Sequence, residues 1–361
     1  MTEPLLYSSE PIFKVDGQVR GELTRDLLRL DIVETTQGLK TLTARLAGTP
    51  AHPDNPERPE LYLDGSLLDF GKELVVTIGP TGGDRTVFRG NVSAIEAVYA
   101  RGKEPEVVIF AEDRLMTLRM TRRFKTYEES TDAQIAEEIG SEHGITVDAS
   151  AGGPSYDVVQ QWNQSDLAFL RERAARVGAE VWVLDDTLHF KTRESRTGTE
   201  LALVHGNQLR DVQLRADLAH QRTAVRVTGY DAAERDAIDQ EAGSDAIEAE
   251  ISGGLTGPAV LQRAFGERVS YATRSVPLTD GEATDWARAE MLRRSRGFVT
   301  AVGTTSGTAD MVVGSRVSLE RVGAPFNGGG YYVTRVHHAF DRQDAFRTHF
   351  EAERATVNEG A

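Results

Sequence analysis

The sequence predicts an α+β chain in which two similar antiparallel β-barrel domains flank a small α/β domain, with a helical insertion in the second barrel. Three observations predict it. From Pro4 to about Arg119 the chain runs in short segments rich in Val, Leu, Ile and Thr, divided by Gly, Pro and Asp. A unit of mixed strand and helix pattern follows at the centre, and the end of the chain repeats the order of its beginning. The implied domains are 1–120 for the first barrel, 121–195 for the α/β domain and 196–361 for the second barrel, within which 231–297 is an inserted loop and helical subdomain.

In the first stretch, strands are expected at Leu27 to Val33, Leu39 to Leu46, Leu74 to Ile78, Val87 to Tyr99 and Glu106 to Phe110. Prolines at 50, 53, 56 and 59 have a period of three, compatible with an exposed loop in polyproline II conformation. At the centre, Thr131 with Gln134 forms a capping box, Ile135, Ala136 and Ile139 give the helix an apolar side, and Gly140 and Gly144 close it before a strand at Ile145 to Val147. The run from Tyr156 to Phe190 then reads as strand, helix, strand, turn and strand. Ser165 is its N-cap, with Asp166 set against the positive helix end. Leu167, Leu170, Ala174 and Val177 form the apolar stripe, Arg171, Glu172, Arg173 and Arg176 lie opposite, and Gly178 supplies a left-handed C-cap. Asp185-Asp186 turns the chain between the last two strands.

From about Glu200 the strand pattern returns, at Val212 to Leu218 and Thr223 to Thr228. Eight acidic residues between Asp231 and Glu250 face only Arg235, which reads as a flexible solvated loop. Gly253, Gly254, Gly257 and Pro258 break the chain, and a helix from Asp280 to about Arg296 follows, capped by Thr279 with Glu282. The sheet resumes at Phe298.

The repeat sets Val92–Arg114 against Val333–Arg354 with one deletion at the hairpin tip. Val92 then matches Val333, Arg101 matches Arg342, Phe110 matches Phe350 and Arg114 matches Arg354, while Ser93, Ile95 and Tyr99 face Thr334, Val336 and Phe340. Gly71, Leu74 and Val76 precede the first hairpin as Gly314, Val317 and Leu319 precede the second. Their common order points to a duplicated β-domain.

Composition narrows the class. A chain of 361 residues exceeds one ordinary core. With 39% hydrophobic and 27% charged residues it reads as a soluble globular protein, and no apolar run approaches membrane-spanning length. The opening MTEPLLYSSEP lacks the basic start and apolar core of a secretory signal. The absence of cysteine excludes a disulfide framework and a thiolate metal site, and fits assembly in the cytoplasm. A formal charge of −15 would repel phosphate, which argues against the whole chain gripping nucleic acid.

The order W-N-Q-S-D-L-x-F-L-x-R-x-A-x-x-x-G over Trp162 to Gly178 resembles a segment of contractile-tail hub proteins, namely the phage late control D family and the hub part of type VI and extracellular injection system spikes. The ending is similar to that family too: a Trp/Ala/Arg helix, G-x-x-V-x-L at Gly314 to Leu319, the run from Gly330 to His338, and Phe346-Arg347-Thr348-x-Phe350. The resemblance implies a homotrimeric baseplate hub. Three chains with two similar units each make six similar units, so a three-fold object presents a nearly six-fold face. One face would accept the inner tube protein ring and the other a three-fold spike, among baseplate wedge components. Secretion-system spikes continue into an oligonucleotide-binding-fold domain and a β-helix, whereas this sequence stops at Ala361, so the spike is expected on a separate polypeptide.

No catalytic, cofactor or metal residues are assigned, and no enzymatic activity is expected. His337 and His338 are adjacent on a strand and point to opposite faces, so they cannot chelate one ion together. His52, His143, His189, His205, His220 and His349 lack helical ligand spacing and read as surface or interface groups. No nucleophile elbow, HExxH or Walker-type loop occurs, and GGDRTVFRG lacks the lysine and helix of a phosphate cradle. Glu128-Glu129 and Asp185-Asp186 suit a cap-proximal surface and a turn better than a hydrolase acid and base. Two basic groups, Arg114, Arg119, Arg122, Arg123 and Lys125, then Arg288, Arg293, Arg294 and Arg296, suggest intersubunit salt bridges or solvated faces. The alternatives to a hub are a tail-associated cell-wall hydrolase and an adaptor that loads an effector through the acidic loop.

Overall fold

The computed structural model describes residues 10–48, 62–79, 85–232, 234–272 and 276–358, and it is mostly strand. The prolines from 50 to 59 and His52 lie outside the described residues. Seven strands form the first unit: β1 (Ile12–Val15), β2 (Gln18–Val19), β3 (Leu27–Thr35), β4 (Thr41–Ala47), β5 (Glu73–Ile78), β6 (Arg85–Val98) and β7 (Glu106–Glu112), with helix α1 (Gly21–Asp26) after β2. Their patterning is simple. In β4 every second residue, Leu42, Ala44 and Leu46, is buried, and these join Phe13, Leu30, Ile32, Val76, Phe88 and Ile109 in one core.

The central unit comprises α2 (Leu115–Met120), β8 (Arg122–Ser130), α3 (Asp132–Glu142), β9 (Thr146–Ala149), β10 (Tyr156–Ser165), α4 (Asp166–Arg176), β11 (Ala179–Leu184) and β12 (Thr187–Thr192). Both expected caps form: the Thr131 hydroxyl accepts from the Gln134 amide in a full capping box, and Ser165 accepts from Ala168. β8 pairs with β10, while β11, β12 and β9 form a second small sheet, and the two share one core with α3 and α4. Arg173, expected on the solvent side of α4, is only 4% exposed. It forms an ion pair with Asp132, in the first turn of α3, and lies 4.3 Å from the Tyr156 ring centroid. A buried partner on a neighbouring helix overrides the helical stripe.

The remainder contains β13 (Glu200–Val204), β14 (Leu209–Ala216), β15 (Ala224–Asp231), β16 (Asp236–Ala242), α5 (Asp245–Glu248), β17 (Leu255–Thr256), α6 (Gly257–Phe265), β18 (Val269–Ala272), α7 (Asp280–Arg296), β19 (Val299–Thr305), β20 (Arg316–Glu320), β21 (Gly328–Asp341), β22 (Ala345–Arg354) and β23 (Thr356–Val357). The acidic stretch from Asp231 to Glu250 is not the solvated loop its charge suggests. β16 pairs with β15 throughout, Ile238 and Ile247 are buried, and Glu250 is paired with Arg296. Its acids lie on the open face of a strand and on a short helix whose apolar residues pack against α7.

The strand order is duplicated. Hydrogen-bonded neighbours in the first unit run β1-β5-β6-β7-β4-β3, and in the last unit β13-β20-β21-β22-β19-β14, the same order strand for strand. Irregularities repeat as well. The β6–β7 register shifts between Val92 and Ala94, as β21–β22 shifts between Val333 and Arg335. The β3–β4 register shifts between Leu27 and Arg29, as β14–β19 shifts between Leu209 and Asp211. Such bulges are specific local features, so their coincidence marks equivalence better than residue identity does. One pairing differs: β1 is antiparallel to β5, whereas β13 is parallel to β20.

This register corrects the sequence alignment of the hairpins. Ile95 faces Ile109 as Val336 faces Phe350, so Phe350 corresponds to Ile109 and not to Phe110, and no deletion is needed on the second strand. Ile109 and Phe350 are buried while Phe110 is only partly so. A match of identical side chains had displaced the pairing by one residue and hence to the other face of the sheet. The two copies are also not separate closed sheets. β3 pairs with β21, so the described strands of both make one 13-stranded sheet that ends at β14 on one side and β2 on the other.

Candidate functional site

The contact between the copies is a strand junction, and its construction can be read residue by residue. β21 lies antiparallel to β3, from Arg335 opposite Thr35 to Asp341 opposite Arg29. On the core face Leu30, Ile32, Val336, His338 and Phe340 are buried. On the other face His337 Nε2 lies 2.8 Å from Asp31, and Arg29 donates to the same carboxylate at 2.6 Å. Burial works against ionisation of Asp31, but hydrogen bonds from His337 and Arg29 hold it well below the usual carboxylate range. Burial pushes His338 down to about 3, so its Nδ1, 3.0 Å from the Thr348 hydroxyl, belongs to a neutral ring at ordinary pH. Arg342 closes the far end by donating to the carbonyls of Leu27 and Arg25.

β21 has room for β3 because β20 stops short. The amide of Gly314 donates to the Val333 carbonyl and the Val333 amide to Ser315, after which the edge of β21 passes to β3. The first copy is built alike. Gly71 donates to Val92 and Val92 to Lys72, both glycines having left-handed φ, at 79° and 94°. Beyond Val92, however, no described strand covers this edge of β6, and β14, the counterpart of β3, pairs with β19 alone. Ala94, Glu96, Ala97 and Tyr99 are exposed on one open edge, and Asp211, Gln213, Arg215 and Ala216 on the other. Uncovered strand edges present unpaired amides and carbonyls that accept a further strand.

An internal ionic cluster fixes both copies to the central unit. Arg196, 3% exposed, donates from one guanidinium nitrogen to Glu180 at 3.0 Å and from the other to Glu34 at 2.7 Å, and stacks 4.4 Å from the Trp182 ring. Tyr332 donates to Glu180 at 2.8 Å, and burial raises its hydroxyl pKa. Beside this cluster a cavity of about 690 Å³ is bordered by Arg193, Glu250, Arg296, Arg316, Tyr332 and Glu353. Arg193 is paired there with Glu353 and Arg296 with Glu250. Sequence spacing held no sign of the Arg196 bridge, because its partners lie 16 and 162 residues away.

The structure also places the residues weighed above. His337 and His338 do point to opposite faces. His143 is not a surface group: its side chain is 9% exposed and its Nε2 lies 2.8 Å from Asp166. His189 stacks on Trp182 at 4.8 Å. Asp185 and Asp186 have φ of 47° and 63° and form the β11–β12 turn. Most of the basic residues have acidic partners within the chain: Arg119 has Glu112, Arg123 has Asp166 and Glu142, Lys125 has Glu138 and Glu142, Arg293 and Arg294 have Glu290, and Arg296 has Glu250. Among the described residues no three His, Asp or Glu side chains are grouped to hold a metal ion, and no described helix is long and apolar enough to cross a membrane.

Known structures share this fold. The 43 kDa tail protein of prophage MuSo2 from Shewanella oneidensis matches with a TM-score of 0.67 at 14% identity, over 96% of this chain and 98% of that one. A tail protein from Neisseria meningitidis MC58 matches with 0.66 at 13% identity, over 96% and 97%. An E. coli component of the type VI secretion system, described as structurally similar to the T4 bacteriophage tail proteins gp27 and gp5, matches with 0.58 at 14% identity, over 94% and 76%. The fold is thus that of phage tail and type VI hub-like proteins, as the central and C-terminal motifs anticipated. No curated protein matches by sequence. The family model described as the Alg8 N-terminal domain matches residues 62–341, well over half of the sequence, and the chain belongs to that family.

Proposed function

We propose that the protein is a structural hub of a contractile tail or injection particle, a homotrimeric symmetry adaptor that joins a six-fold inner tube to a three-fold spike. The observation that carries this reading is the duplicated strand order with its duplicated bulges. A trimer of such chains offers six near-equivalent units. Division at 1–120, 121–195 and 196–361 follows the same logic, and an apolar cluster is centred on each part, with Phe340 and Phe346 of the last joining the first cluster and Leu115 and Leu118 of the first joining the second. The hairpin tips at 99–105 and 342–344 lie at one end of the strands, whereas the central unit and the insertion attach at the other. The two hairpin tips would face a ring of identical tube subunits, and the other end, which carries the central unit and the insertion, would seat a three-fold spike. The work is mechanical, and the particle is where the protein resides. Light scattering on the purified chain at rising concentration should approach three times the chain mass of 39.5 kDa. A strict monomer at high concentration counts heavily against the hub.

A further inference from the structure

The internal junction is a template for an external one. β3 and β14 are equivalent, with Leu27 at the position of Leu209, and β6 and β21 are equivalent, with Val92 at the position of Val333. Inside the chain β3 sits on the edge of β21; the counterparts of these two strands, β14 and the edge of β6 beyond Val92, are open and lie in different copies. Resting on the trimeric hub reading, we infer that β14 of one chain adds antiparallel to that edge of β6 in the next chain, in the register of the β3–β21 junction.

Carrying the internal register across gives definite pairs. On the core face Val212 falls opposite Tyr99, Leu214 opposite Ala97 and Ala216 opposite Ile95. On the outer face Arg215 falls opposite Glu96 and Gln213 opposite Val98. These contacts were not used to find the register, yet they fit it. Val212 and Leu214 already pack against the core of the last unit and Ile95 against that of the first, so joining them makes one continuous apolar layer. Tyr99 is 66% exposed in the single chain and gains an aliphatic neighbour. Arg215 and Glu96, both exposed, meet as opposite charges directly across the strands. The contact is heterologous, using a different surface on each partner, so it closes into a ring or runs on as a filament. In a trimer it alternates with the internal junction.

The chain contains no cysteine, so introduced pairs report without background. Val98→Cys combined with Gln213→Cys should form intermolecular disulfides on mild oxidation and give a covalent closed trimer on a non-reducing gel, because directly opposed strand residues fall within disulfide reach. Val98→Cys with Arg215→Cys, two residues out of register, should cross-link at least tenfold less. Unchanged circular dichroism of both variants under reducing conditions verifies their fold. In parallel, Glu96→Arg and Arg215→Glu should each weaken association about tenfold and together restore it. A trimer by light scattering whose cross-links favour the shifted pair, or neither pair, overturns this register and leaves the hub reading intact. Chains that stay monomeric at every concentration overturn both.

Discussion

Replacing Arg196 by Met tests whether one buried guanidinium holds the two sheet copies and the central unit in fixed relation. Its two donor nitrogens reach carboxylates from different parts of the chain, Glu34 on β3 and Glu180 on β11. Removing one partner of a buried ion pair costs about 3–5 kcal/mol, since the charge left behind is desolvated without compensation. Here the loss is cushioned, because Glu34 keeps Lys40 at 3.0 Å and Glu180 keeps the Tyr332 hydroxyl at 2.8 Å and Arg193 at 3.4 Å. Met also retains part of the apolar stem against Trp182. The expected loss is therefore near the lower bound, about 3 kcal/mol. Arg196→Lys should lose roughly half of that, since one ammonium cannot fork between two carboxylates 162 and 16 residues distant in sequence. Urea unfolding followed by far-ultraviolet circular dichroism measures both, as midpoint shift times slope. A loss under about 0.5 kcal/mol for the Met variant, within the range of surface changes, would falsify the bridging role.

The equivalent glycines give a paired comparison. Gly71→Ala adds a methyl in open space at φ 79° and should cost about 1–2 kcal/mol from backbone conformation alone, whereas the same change at Gly314, φ 94°, also sets Cβ 2.9 Å from the Arg196 side chain and should cost clearly more. Equal losses would refute the reading that Gly314 is doubly constrained; thermal or urea unfolding of the two variants decides. For His338, burial lowers the folded pKa to about 3 from 6.5, so the unfolded chain takes the proton first. Stability is complete above about pH 6.5 and falls as pH drops towards 3, by at most about 5 kcal/mol. Asp113 acts with the opposite sign: burial raises it to about 6, so its contribution is full below the unfolded pKa of 3.8 and is lost as pH rises through 6. The difference between wild type and His338→Gln isolates the histidine. Its stability should decline less steeply between pH 6.5 and 4, and parallel curves would remove His338 from the account.

Local chemistry was legible in the sequence wherever one segment determined it. The capping box of Thr131 and Gln134, the Ser165 cap and the Asp185-Asp186 turn depend on neighbours within a few residues, and each formed as spacing required. The duplication was legible too, through Gly71 and Gly314, because the left-handed residue that precedes β5 in one copy and β20 in the other favours glycine. What depended on distant partners was not. Arg173 reads as a surface residue until α3 supplies Asp132, and Asp231 to Glu250 reads as a loop until Arg296 and α7 are present. The union of both copies into one sheet follows from an edge left vacant by the length of β20, and strand length carries little sequence signal.

The insertion explains how a duplicated sheet acquired two unlike ends. It joins β14 to β19, in the position where β3 and β4 are joined by the short turn at 36–40, so the added residues leave the shared strand order undisturbed. The central unit touches both connections. Arg171 on α4 donates to the carbonyls of Gln37 and Gly38 in the short turn, and Gly38 passes so close to Val181 that a Cβ there would lie 2.3 Å from its carbonyl oxygen. Arg176, five residues further along the same helix, stacks 4.7 Å from the ring of Trp286 on α7, within the insertion. Two arginines that sequence pattern assigns to solvent thus grip equivalent connections of the two copies. Both anchors lie at one end of the strands, the end opposite the hairpin tips at 99–105 and 342–344, so the central unit holds the two copies together away from those tips.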